Sequence, residues 1–183
     1  MKQILVMMAM VLSLSVTADE VVITDPAIKA YLGRQFKKPY AEFAPPMKLT
    51  EAETAEVTSL ELSDTKITDE GLKEVVKLQK LERLALTSTK ITDEGLKDLA
   101  KLQNLKTLFL GGTQITDAGL KEVTKLQKLK WLDLVNTQIT DAGLKELVKL
   151  RDLQLLDLYG TKITDAGFAE LEKAMPNCKI YGP

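Results

Sequence analysis

One 24-residue unit recurs along most of this chain without insertion. It reads TKITDEGLKEVVKLQKLERLALTS at 65–88, TKITDEGLKDLAKLQNLKTLFLGG at 89–112, TQITDAGLKEVTKLQKLKWLDLVN at 113–136 and TQITDAGLKELVKLRDLQLLDLYG at 137–160. Thr65, Thr89, Thr113, Thr137 and Thr161 mark the period. A fixed period of this length calls for a stacked architecture, in which each unit buries its apolar face against its neighbours and function resides on a surface.

Within a unit the apolar spacing changes character. Leu129-x-x-Leu132-x-Leu134 ends in the alternation of a strand with one buried face. Ile115, Leu120, Val123 and Leu126 then fall mostly three apart, which suits a short helix with one inward stripe. So short a helix is marginal in water by itself, and stacking must close the core. A coiled coil competes for the same Leu and Lys spacing. Gly71, Gly95, Gly119, Gly143 and Gly167 break such a helix once per unit, and Gly111-Gly112 breaks it again.

The pattern L-x-x-L-x-L-x-x-T-x-I-T-D-x-G-L resembles a leucine-rich repeat of the bacterial type, over about residues 57–183. Its I-T-D-x-G-L segment is most similar to the cysteine-containing subtype, also seen in F-box substrate receptors. The Asn or Cys usual after the strand is Thr in every unit here. The resemblance implies an α/β solenoid, with a curved parallel sheet on the concave side and short helices on the convex side. It also implies that the Thr after each strand bonds to backbone groups of the neighbouring loop. Strands stack about 4.8 Å apart while packed helices need ~8–10 Å, a mismatch that bends the stack and leaves the inner sheet face uncovered.

The flanks read differently. Lys2, the apolar run Ile4 to Val16 and the small-residue site Val16-Thr17-Ala18 have the order of a secretory signal peptide, as against a buried N-terminal helix. Residues 1–18 are therefore expected to be removed, leaving an exported chain that is periplasmic or extracellular. No later apolar run approaches the ~20 residues of a membrane span. Without Lys2 the net charge goes from −1 to −2, so no bulk field favours nucleic acid or acidic lipid. With Cys178 as the single cysteine, no internal disulfide is possible and leucine packing must supply stability. Cys178 itself is expected as a small buried residue of the final strand.

Residues 19–56 do not repeat. Thr24-Asp25-Pro26 reads as a helix start, Lys37 to Met47 with three prolines as a loop, and Thr50-x-x-Glu53 as a capping box for a second helix. The segment is expected to form a helical cap over the first unit, like the N-terminal caps of bacterial surface leucine-rich repeat proteins. At the other end Pro176 to Tyr181 reads as a last strand closing the stack.

Catalysis has little support. The chain has no histidine, no Gly-rich phosphate loop, no Ser nucleophile motif and no cysteine pair, so neither an enzyme nor a cofactor is expected. Asp69, Asp93, Asp117, Asp141 and Asp165 recur where each helix begins, and are expected to serve helix N-termini beside capping threonines. A calcium ladder is the alternative, but the Gly-rich nonapeptides of calcium-binding β-helices are missing. Lys73, Lys97, Lys121 and Lys145, with Lys77, Lys101, Lys125 and Lys149, form two columns on the helical side. Alternating acidic residues favour a solvated face over a polyanion-binding stripe.

The informative positions are the strand residues that point away from the core. Three columns run Ser59, Arg83, Thr107, Trp131, Leu155; Glu61, Ala85, Phe109, Asp133, Asp157; and Ser63, Thr87, Gly111, Val135, Tyr159. Helices and loops scarcely differ between units, whereas these columns differ at nearly every step. Phe109, Trp131, Leu155 and Tyr159 are expected to give apolar contact to a partner, and Asp133 and Asp157 orientation or charge pairing. The expected partner is a protein. An envelope polysaccharide stacking on Trp131, or an enzyme that the chain inhibits, are the alternatives.

Overall fold

A computed structural model describes residues 20–38 and 45–182. The leader read at 1–18 and residues 39–44 of the proline loop lie outside it. The chain order is β1 (Val21–Ile23), α1 (Pro26–Gln35), β2 (Met47–Leu49), α2 (Glu51–Glu56), β3 (Ser59–Glu61), α3 (Asp69–Val75), β4 (Arg83–Ala85), α4 (Asp93–Leu99) and β5 (Thr107–Phe109). There follow α5 (Asp117–Val123), β6 (Trp131–Asp133), α6 (Asp141–Leu147), β7 (Leu155–Asp157), α7 (Asp165–Ala174) and β8 (Lys179–Tyr181). β3 to β8 form one parallel sheet in chain order, each strand displaced from the next by one repeat. This is a leucine-rich repeat solenoid, α/β in class.

The pleat sends the leucines to one side. Leu84 and Leu86, Leu108 and Leu110, Leu132 and Leu134, and Leu156 and Leu158 are fully buried between sheet and helices. The ladder runs on past each three-residue strand, as where Leu110 N–H donates to the Asp133 carbonyl at 2.9 Å. Beyond it the chain must turn towards the helical layer, and one position per unit takes a left-handed φ between 54° and 69°: Asp64, Ser88, Gly112, Asn136 and Gly160. Glycine or a short polar side chain meets that demand at least cost. The Thr that follows donates its hydroxyl to the leucine carbonyl three residues back, at 2.6 Å for Thr89, Thr113 and Thr137. It therefore closes its own turn, and not the neighbouring loop that the resemblance implied.

The recurring aspartates do something the sequence reading missed. They stand in the first turn of their own helices, where Thr92, Thr116, Thr140 and Thr164 cap as expected, but Asp69, Asp93, Asp117 and Asp141 also reach into the next repeat. Asp93 Oδ1 accepts from Thr116 N–H at 2.8 Å and its Oδ2 from the Thr116 hydroxyl at 2.6 Å. Asp69 with Thr92, Asp117 with Thr140 and Asp141 with Thr164 repeat the arrangement. The glycine of I-T-D-x-G-L makes room for it. A methyl at Gly119 would overlap Asp93 Oδ1 and stand 2.9 Å from Leu96 Cδ1. Gly119→Ala is thus expected to destabilise by about 1–3 kcal/mol through overpacking, although Ala in a helix interior is normally worth about 1 kcal/mol over Gly. Denaturant melts of Gly119→Ala, Asp93→Ala and the double variant check it. The two losses should fall well short of additive, and additive losses would show that the glycine and the aspartate do not share this space.

Residues ahead of β3 lie against the first repeat. The Asp25 side chain accepts from Ala27 and Ile28 N–H at the start of α1, and Thr50 and Glu53 form both halves of the capping box on α2. β1 pairs antiparallel with β2, an element not expected from the sequence. Ile23, Ile28, Leu32, Leu49 and Val57 join the same buried cluster as Leu60, Leu62 and Leu72. Glu74 on α3 accepts from Thr24 N–H at 2.8 Å, from Asp25 N–H at 2.9 Å and from the Thr24 hydroxyl. Burial opposes its charge, but these three bonds outweigh it and hold its pKa below the usual glutamate value.

Candidate functional site

The face opposite the leucines carries the three variable columns; strand pairing confirms the register of the first two, and the third lies in the turns that follow. Trp131 lies between Thr107 and Leu155, and Asp133 between Phe109 and Asp157. β8 extends the first two columns by Lys179, beside Leu155, and Tyr181, beside Asp157. Two column members do not offer open surface: Ala85 is buried, and so is Gly111. Cys178 is half-buried one residue ahead of β8 and not within it, and burial pushes its thiol pKa up.

The aromatic residues are organised. The Phe109 and Trp131 rings meet edge to face, centroids 4.9 Å apart and planes at 67°. On its other side Phe109 carries the Arg83 guanidinium, 4.3 Å from its centroid. Arg83, Phe109 and Trp131 thus make a continuous strip across three strands, in which Phe109 is half-buried and the indole stays 41% exposed. Such edge-to-face and cation–π contacts favour one arrangement of the rings. Leu155 is half-buried next to the indole, and Tyr159 is 52% exposed in the third column. Arg83 was visible in the sequence only as a column position, and Lys179 only within the stretch read as the last strand. Nothing in the spacing announced that Arg83 stacks on Phe109.

In register with Phe109 stand two carboxylates on the next two strands, Asp133 and Asp157. Asp133 Oδ1 accepts from Val135 N–H at 2.9 Å, and Asp157 Oδ1 from Tyr159 N–H at 3.2 Å. Gly111 leaves room for the first of them: a Cβ there would stand 3.0 Å from Asp133 Oδ2. Burial pushes the Asp133 carboxyl above the usual aspartate range; the Val135 N–H pulls it back and the Asp157 charge raises it again. A folded pKa above the unfolded one means that the ionised carboxylate costs stability near neutrality. That cost is lost as pH falls through the folded pKa. Asp133→Asn, which keeps an acceptor for Val135, is expected to raise the melting temperature at pH 7. The gain should vanish by about pH 3, below the unfolded aspartate pKa. Melting curves at the two pH values check it.

Five of the eight column lysines on the helical side are held in ion pairs. Lys73, Lys97, Lys101, Lys125 and Lys149 each pair with an acidic residue three positions earlier, at 2.5–2.7 Å. A cleft of about 430 Å³ between α6 and α7, lined by Leu144, Val148 and Leu171 among others, contains no residue expected to bind a partner. Among the described residues no helix is long and apolar enough to cross a membrane.

The repeat itself identifies the family. The leucine-rich repeat family model matches residues 57–76, 77–100, 101–123 and 125–148. No curated protein matches the chain. Among solved structures, a leucine-rich repeat protein of Leptospira interrogans aligns with 70% of this chain at 28% identity and a TM-score of 0.50. Internalin F of Listeria monocytogenes aligns with 87% of it at 18% identity and a TM-score of 0.54, a likeness of fold alone. The chain spans 38% of the first protein's length and 56% of the second's. In repeat sequence, sheet topology and buried leucine ladder, this chain is a leucine-rich repeat protein.

Proposed function

We propose that the chain is a non-enzymatic binding module, exported after loss of residues 1–18, that holds a protein partner on the concave sheet face. The carrying observation is Trp131, exposed at 41% on the uncovered face and braced by Phe109. A large aromatic held in place among Leu155, Tyr159, Asp133 and Asp157 has the composition of an interaction hot spot, with charge at its edge. The uniform repeats supply the scaffold, and the variable columns supply the specificity. An envelope polysaccharide stacked on the indole is the second reading, favoured by the two carboxylates beside it.

Envelope extract passed over the immobilised chain and over its Trp131→Ala variant separates these readings. A protein retained in stoichiometric amount by the first and not the second supports the proposal; release by free sugars alone supports the polysaccharide. Export has its own check. Intact-mass analysis of the secreted or periplasmic product should show a chain beginning at Asp19, and a full-length cytoplasmic product would refute it.

A further inference from the structure

The open face is layered in a way that defines the chemistry of its occupant. On β6 and β7 the residues facing away from the core form two rows, Trp131 with Leu155 and Asp133 with Asp157, and Val135 and Tyr159 make a third in the turns that follow, where Asn136 N–H donates to the Tyr159 carbonyl at 2.8 Å. An acidic row therefore lies between two apolar rows, the Trp131–Leu155 row about 6.6 Å away along the strand, twice the rise per residue, and the Val135–Tyr159 row where the chain begins to turn. Both carboxylates are half-buried and bonded to the N–H two residues on. Neither forms an ion pair among the described residues, in contrast to Glu70, Glu94, Asp98, Glu122 and Glu146, which each hold a lysine. Lys179, one strand beyond, places its ammonium 4.9 Å from the centre of the Tyr181 ring.

Covering this face with a purely apolar surface would strip water from two adjacent carboxylates without replacing it, which is costly. An acidic segment would add repulsion. A cation set between the two carboxylates removes both penalties. An extended segment lying along the strands offers alternate side chains at the same ~6.6 Å spacing as the first two rows. We infer that the partner presents an extended apolar–x–Lys/Arg–x–apolar segment, its cation over Asp133 and Asp157 and its apolar side chains over the Trp131–Leu155 and Val135–Tyr159 rows. This rests on the concave face being the contact surface. Charge complementarity then sets which segments that face accepts, and affinity falls with added salt.

A random peptide library displayed on phage, selected on the immobilised chain and counter-selected on Trp131→Ala, tests the inference. The expected winners carry a basic residue with an apolar residue two positions to each side. A synthetic winner should bind Asp133→Asn/Asp157→Asn at least ~10-fold more weakly than the unaltered chain, the order measured for close charge pairs at interfaces. Replacing the basic residue of the peptide by methionine should cost as much. Both substitutions keep the acceptor for the turn N–H, and a thermal melt confirms that the double variant folds. Winners that need Trp131 but lack a basic residue, or that bind the double variant equally well, overturn the inference and leave the contact surface standing. A selection that yields no Trp131-dependent binder overturns both.

Discussion

A chain lacking residues 19–56 is expected to aggregate or to lose its cooperative melt. Leu60, Leu62 and Leu72 of the first repeat are fully buried, in one cluster with Ile23, Ile28, Leu32 and Leu49 from the segment removed. Re-exposing three leucines costs about 1.5–3 kcal/mol each, on the order of the whole stability of a domain. The polar links go as well. Glu74 loses all three of its donors from Thr24 and Asp25, and the Lys77 ammonium loses the Val22 carbonyl at 2.9 Å. Asp25 also stands against Gly71 as Asp69 stands against Gly95, so the segment continues the aspartate series one step before the repeats begin. Size-exclusion chromatography and thermal melting of residues 57–183 check the expectation. A monomer as stable as the longer chain would show that the first repeat needs no cover.

Trp131→Ala carries the other large effect. Truncating a central hot-spot aromatic typically costs ~2 kcal/mol or more, which corresponds to at least ~30-fold in dissociation constant. Stability should barely change, because the indole is 41% exposed and points away from Leu132 and Leu134, which are fully buried. The loss includes the edge-to-face contact with Phe109, worth about 0.5–1.5 kcal/mol, so a small drop in melting temperature is expected alongside the large drop in affinity.

The parts legible in the sequence are those governed by period. Alternation at Leu132 and Leu134 places Trp131 on the opposite face, and the 24-residue register aligns Trp131 with Leu155 and Asp133 with Asp157 without further information. What escaped depends on contacts between units, which no single unit displays. Asp93 does begin its own helix, as the sequence reads, but its oxygens are in addition taken by Thr116, 23 residues on. Gly119 looks like a helix breaker until the Asp93 carboxylate is seen beside it. Ala85 shares the register of the open face but is buried, and the Arg83–Phe109 stack follows from side-chain conformations that spacing does not specify. β1 and β2 are three residues each, too short for a pattern to show.

Trp131 is the only tryptophan, so its emission reports on this face without interference. Titration of the chain with a protein captured from envelope extract, followed by tryptophan emission after subtraction of the partner's own signal, tests the assignment of the concave face most directly. The expected result is a red-shifted spectrum in the free chain that moves to the blue in saturable, stoichiometric fashion. A partner that binds stoichiometrically while the Trp131 emission stays unchanged, and that binds Trp131→Ala as tightly, would place the contact surface elsewhere on the solenoid.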